Sequence, residues 1–287
     1  MNSSLLFLLS RRCRPIFSLL CCAALVFIVP AEITFADDGI PPVRSIPLLA
    51  TSTVKPWGFA DTDRTRKGML IDFQNTLFSR ANIAVNNVLE PYPRVIQDIE
   101  KGDADIAVMF VSPQANRIAH SLGNVLSERI VIVVKAGSKE YRSLDDFNGQ
   151  NIGQVRGSKY GDAFDNHPGI TRVALTDVEQ GLKMLLAGRL DAMASTEHSL
   201  LFAMYSAGIN AADIQLALPL FTARADLYVA RHAMQAEWVK PVEQTLTAMR
   251  NDGSLTQALY QNKYWPYDSY CFSGGQCLNG HQASAEK

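Results

Sequence analysis

Apolar positions along the chain alternate between two periods. Leu70, Phe73, Leu77 and Phe78 recur at spacings near 3.6 residues and predict a helix over 69–83. Val95, Ile96 and Ile99 predict another over 94–101, with Gly102 at the left-handed stop that glycine favours. Between and around them, short apolar runs at 46–51, 85–89 and 104–110 read as strands. A run at 130–134 is almost wholly β-branched, as central strands of α/β sheets are. The order then repeats. A strand at 151–155 leads into Gly157-Ser158 and a short helix, and a second strand covers 172–175. Thr176 to Glu179 reads as a capping box opening a helix with Val178, Leu182 and Leu185 inward. Gly188 ends that helix, a strand covers 190–194, and helices at 238–250 and 254–262 close the pattern.

One unit occurs twice: a helix, a glycine, two residues, an aspartate and a strand. It is Gly102-Asp-Ala-Asp105 in the first half and Gly188-Arg-Leu-Asp191 in the second. Strands alternating with helices predict an α/β fold with mostly parallel sheets, and the repeat predicts two lobes of similar build.

The first residues do not fit that scheme. Arg11, Arg12 and Arg14 precede an apolar run at 16–29, which Pro30 and Glu32 terminate. The run is short of the roughly 20 residues a membrane-spanning helix needs. It reads as a secretory signal peptide, with cleavage after Thr34-Phe35-Ala36. Residues 37–287 then carry 24 Lys and Arg against 27 Asp and Glu, with no basic patch interleaved with aromatics, which argues against a nucleic-acid partner. Of five cysteines, only Cys271 and Cys277 lie beyond the leader. In an oxidising compartment this even pair is expected to form a local disulfide, in a loosely attached tail over 267–287. Two cysteines with only His281 nearby do not make the four ligands of a zinc site, so no metal or cofactor is expected.

Ordered blocks then resemble a known family. Pro56-Trp57 with Gly68-Met-Leu-Ile-Asp72 resembles its opening motif, and Gly102 to Asp105 its turn before a strand. Ser112-Pro-Gln-Ala-Asn-Arg117, then Leu144 to Gly149 with Ile152 to Ser158, then Gly188 to Ala192, then Asn251-Asp-Gly253 before Tyr264-Trp265 follow in the family's order. The chain is similar to the type II periplasmic solute-binding proteins of the amino-acid-binding group, family 3 of ABC-transporter substrate-binding proteins. The resemblance implies a two-lobed α/β fold with two crossover strands, at 131–136 and 223–230, and a ligand cleft between the lobes. Lobe 1 is then 37–134 with 228–266, and lobe 2 is 135–227. Ligand would close the lobes by a hinge.

It also implies site residues. Ser112 would cap a helix beginning at Pro113, and Arg117 would hold a ligand carboxylate. Gly157 and Ser158 would meet the same carboxylate from the other lobe. Trp57 would form a wall of the cleft, and Phe110 would make it more apolar. Each has a plainer alternative: a capping serine and a solvated arginine, an ordinary helix start, core packing. The chain departs from the pattern where amino-acid binders carry an aspartate for the ligand's ammonium. Thr196 stands there, with Glu197 next. Glu197 would substitute after a one-residue shift; otherwise it is a surface carboxylate, or the ligand lacks an α-ammonium. His120, His167, His198 and His232 are scattered and read as structural or exposed.

The expected function is a periplasmic, monomeric, non-enzymatic receptor for a small carboxylate or zwitterion, serving a membrane permease. Two alternatives stay open. One is a cyclic-acid dehydratase of the same build, recruiting Glu197 or Asp61. The other is a solute-sensing accessory protein for a membrane partner.

Overall fold

The computed structural model describes residues 43–260 and the backbone of two short strands, Cys271–Phe272 and Gln276–Cys277. In chain order the elements are β1 (Leu48–Ser52), β2 (Phe59–Ala60), β3 (Arg66–Lys67), α1 (Met69–Arg80), β4 (Asn86–Glu90), α2 (Tyr92–Lys101), β5 (Ile106–Phe110) and α3 (Pro113–Ile118). The long strand β6 (Ala119–Lys135) follows, then β7 (Asn151–Val155), α4 (Asp162–Asp165), β8 (Thr171–Leu175), α5 (Val178–Leu186), β9 (Ala192–Thr196) and α6 (Glu197–Ser206). A second long strand, β10 (Ile214–Ala230), precedes α7 (Val239–Asn251), α8 (Ser254–Tyr260), β11 (Cys271–Phe272) and β12 (Gln276–Cys277).

The main sheet has the order β4-β1-β5-β10-β6-β9-β7-β8. Its two ends are built alike. β4, β1 and β5 are parallel at one end, and β8, β7 and β9 are parallel at the other. Between them β6 and β10 run antiparallel over their whole length. β5 pairs with β10 over Ala225–Val229, and β9 pairs with β6 over Ile130–Val133. Residues 127–129 and 222–224 therefore pair with each other as a two-stranded bridge between the halves, with an outside backbone bond from the Val111 N–H to the Arg224 carbonyl at 2.8 Å. The crossover read at 223–230 overlaps this bridge at 223–224, and the one read at 131–136 begins two residues beyond it. Each half buries apolar residues on both sheet faces. In the first half Phe73, Leu77 and Leu246 pack on one face, and Val95, Ile99 and Met109 on the other. In the second half Leu182, Leu200 and Met193 face Phe147, Phe164 and Ile152 across the sheet.

The repeated glycine–aspartate unit has a mechanical role. Gly102 and Gly188 take the left-handed conformation (φ 80° and 69°) that ends α2 and α5. Three residues later, Asp105 accepts the N–H of Leu48 at 2.7 Å, and Asp191 accepts that of Asn151 at 2.7 Å. Each carboxylate thus fixes the start of the strand that opens its own half. Asp105 is fully buried and also meets Arg44 and His232, each at 2.8 Å.

Several expectations need correction. Gly157-Ser158 does not open a helix. Residues 156–161 turn, and α4 begins only at Asp162. The cap of α5 is Asp177, which accepts the N–H of Gln180, while the Gln180 side chain accepts that of Thr176. α6 and the outer parts of both long strands went unseen. α6 buries Glu197 through Met204 on every side, so it carries no periodic signal. The leader and most of the tail lie outside the described residues. The backbone pairing of β11 and β12 sets Cys271 opposite Cys277, and their side chains lie outside the described residues.

Removing a buried carboxylate leaves its partners uncompensated. Asp105→Ala is expected to cost about 3 kcal/mol. Asp191→Ala, at the exposed counterpart, is expected to cost about 1 kcal/mol. Urea denaturation of both variants checks this difference.

Candidate functional site

Two consecutive residues of the bridge seat two consecutive residues of α6. Arg129 donates through Nε to Glu197 Oε2 at 2.8 Å, and its Nη2 meets Glu197 Oε1, giving a bidentate pair. Glu128, fully buried, accepts the N–H of His198 at 2.9 Å, and its Oε2 stands 2.6 Å from His198 Nδ1. The Glu197 carboxylate raises the Arg129 guanidinium above its ordinary pKa. The His198 ring lies between Trp57 (ring centroids 5.2 Å apart) and Tyr260 (5.6 Å, stacked). Burial pushes the Tyr260 hydroxyl pKa up. Trp57 belongs to the core of the first half, and Tyr260 packs against the cores of both halves.

Beside this cluster is a cavity of about 300 Å³, bounded by both halves. The first half contributes Thr53, Val54 and Lys55 after β1, and Pro91, Tyr92 and Pro93 at the start of α2. The second half contributes Val155, Arg156 and Ser158 after β7, Thr176 to Glu179 at the start of α5, and Ser199, Phe202, Ala203 and Ser206 along α6. Its charged groups are of both signs: Lys55 and Arg156 against Asp177 and Glu179. The hydroxyl of Ser199, 1 % exposed, has no hydrogen-bond partner among the described residues. The Tyr92 hydroxyl accepts the N–H of Phe110 at 3.0 Å, and burial pushes its pKa up to about 12.

Of the residues expected at the site, Ser158 lines this cavity. Phe110 stands behind Tyr92, ring against ring at 6.0 Å. Gly157 (φ 80°) makes a close approach across the cleft: a Cβ there would lie 2.5 Å from Pro93 Cγ. Trp57 is buried against His198, outside the cavity lining. Ser112 caps α3, with Pro113 as its first residue, by accepting the N–H of Ala115 at 3.1 Å. Arg117 is exposed on that helix. Thr196 is buried at the end of β9, its hydroxyl without a hydrogen-bond partner among the described residues, and Glu197 is held by Arg129. In the sequence Arg156 reads as solvated and Asp177 and Glu179 as part of a helix start, and Lys55 went unremarked, because only the fold brings these three distant segments together. Glu128 was missed likewise, while His198, read as structural or exposed, is buried at 4 % exposure. Among the described residues, no group of three or more His, Cys, Asp or Glu side chains could hold a metal ion. No described helix is long and apolar enough to cross a membrane.

Two α/β halves of the same strand order, joined by a two-stranded bridge and enclosing a cavity, define a two-lobed binding protein of type II. The chain belongs to the bacterial extracellular solute-binding proteins, family 3, whose family model matches residues 48–266. Solved structures of similar fold include a histidine kinase sensor domain with similarity to periplasmic binding proteins. It has 13 % identity and a TM-score of 0.65, over 76 % of this chain and 96 % of that one. The P235GK mutant of ArgBP from T. maritima has 16 % identity and a TM-score of 0.64, over 76 % and 95 %. An ancestral arginine-binding protein bound to glutamine has 19 % identity and a TM-score of 0.61, over 77 % and 98 %. No curated protein matches the chain.

The Arg129–Glu197 pair generates a test of the bridge. Glu197 is 2 % exposed at its side chain, so Arg129→Ala strands a buried carboxylate. A loss of about 3 kcal/mol is expected, lowering the melting midpoint by about 6–12 °C at roughly 2–4 °C per kcal/mol. Arg129→Ala in a Glu197→Gln background is expected to lose less than half as much. Thermal unfolding of the two variants and their double mutant measures this.

Proposed function

We propose that this protein is an extracytoplasmic receptor that holds a small amino-acid-like zwitterion in the cavity between its halves. The observation that carries the reading is that Lys55, Arg156, Asp177 and Glu179 line one cavity of about 300 Å³, Glu179 also meeting Lys183 at 2.6 Å. That volume is at the low end of small-molecule sites, which run from about 300 to 1,000 Å³. The cations suit a carboxylate and Asp177 an ammonium, while the Ser199 hydroxyl has no hydrogen-bond partner among the described residues. The proposed hinge is the bridge at 127–129 and 222–224, beyond the ladders that β5 and β9 form with the long strands. The leader over 1–36 and a Cys271–Cys277 disulfide belong to the same reading of an exported, monomeric protein. Delivery to an ABC-type permease is the role that family membership supports.

A sensory role is the second reading, favoured by the sensor domain among the similar folds. A dehydratase role has less support. The two carboxylates named for it are both held by cations, Glu197 by Arg129 and Asp61 by Lys67. The Lys67 ammonium beside Asp61 keeps that carboxyl below its ordinary pKa, which is the wrong direction for a general acid.

A thermal-shift panel on residues 37–287, stripped of bound solute, tests the proposal. It compares amino acids with matched acids lacking the amine and amines lacking the acid. A zwitterion at about a thousand times its Kd stabilises by roughly 4 kcal/mol. That raises the midpoint by about 8–16 °C. Equal shifts with acids lacking an amine would contradict the zwitterion. Lys55→Ala is expected to weaken binding about tenfold or more, the usual worth of a charged hydrogen bond. Loss of binding in Arg117→Ala with Lys55→Ala unaffected would place the carboxylate at α3 instead.

A further inference from the structure

The His198 ring occupies a setting that has the parts of a ligand site. Trp57 covers the ring at 5.2 Å, tilted by 55°, and Tyr260 stacks on it at 5.6 Å with 28° between planes. Glu128 accepts the His198 backbone N–H at 2.9 Å, and its Oε2 stands 2.6 Å from the ring nitrogen Nδ1. Trp57 is 7 % exposed, His198 4 % and Glu128 0 %, so the contacts are made out of water, where aromatic and charged contacts are strongest. The parts come from different regions. Trp57 lies after β1 in the first half, Glu128 on the bridge, and His198 on α6 in the core of the second half.

We propose that Trp57, Tyr260 and Glu128 form a binding site for a flat nitrogen heterocycle with an N–H donor, and that the protein's own His198 is its resident occupant. The tethered ring then bolts the two halves together without any solute. The solute cavity lies beside this site and shares none of the four residues. The bolt is therefore tested without solute, and its failure would leave the zwitterion reading untouched.

The experiment is small-angle scattering of solute-stripped residues 37–287. Wild type is expected to be compact, near about 18 Å in radius of gyration for its length. His198→Gly is expected to expand by about 1 Å through hinge opening, and millimolar imidazole is expected to restore the compact form. Circular dichroism and a cooperative melt first establish that the variant is folded. Should it not fold, Trp57→Leu removes a wall from the opposite half and is expected to expand the molecule in the same way. A folded variant as compact as wild type, or an expanded His198→Gly indifferent to imidazole, would overturn the proposal.

Discussion

A carboxylate and a guanidinium on neighbouring residues of one strand hold the first turn of α6, and the arrangement of the halves depends on that contact. Glu128 and Arg129 lie on the bridge, where β6 has only β10 beside it. A two-stranded ribbon is by itself a weak joint. Here its exposed flank is covered by Glu197 and His198, each paired with a bridge residue of complementary chemistry. Burying Glu128 and Glu197 costs several kcal/mol of hydration apiece. The cost is offset only because each carboxylate meets donors at both oxygens or at an oxygen and a ring. Such pairs specify one arrangement more than they add stability, and at this bridge the arrangement is the setting of the cleft.

From that joint the cavity follows. α6 runs from the bridge with Ser199, Phe202, Ala203 and Ser206 along one wall. Opposite it, the segments after β1 and at the start of α2 come from the first half. Gly157 brings the second half against Pro93 closely enough that a side chain there would collide. Charged groups at the mouth come from loops and helix starts, while the walls are set by rigid elements. This division is common in proteins that recognise small solutes.

Much of the scaffold was legible in the sequence because its signals are local. The 3.6-residue spacing of Leu70, Phe73 and Leu77 marks α1, and the spacing of Val178, Leu182 and Leu185 marks α5. The paired Gly–Asp units mark the start of the last parallel strand in each half, and the structure adds why: Asp105 and Asp191 fix the strand beside them. α6 was not legible, since a helix buried on every side has no polar face to set its period. The outer parts of β6 and β10 were missed for a related reason. Residues 119–129 alternate poorly because their surroundings change from the first half to the bridge. The site was read less well. Ser112 does cap α3 ahead of Pro113, and Ser158 does line the cavity. His198, read as structural or exposed, is the structural one of those two, but its partners Glu128, Trp57 and Tyr260 could not be read, since a lone histidine carries no pattern that names them.

The most direct test of the joint is amide hydrogen exchange in the solute-free protein, followed by segment. Amides that open only with global unfolding exchange slowest, and those of mobile loops exchange fastest. If the clasp governs the structure, residues 128–130 and 196–198 exchange only through global unfolding. The loops 53–58 and 156–161 should then exchange through faster local opening. Bridge amides exchanging as fast as those loops would mean that the halves part at the clasp itself, and the account would be wrong at its centre.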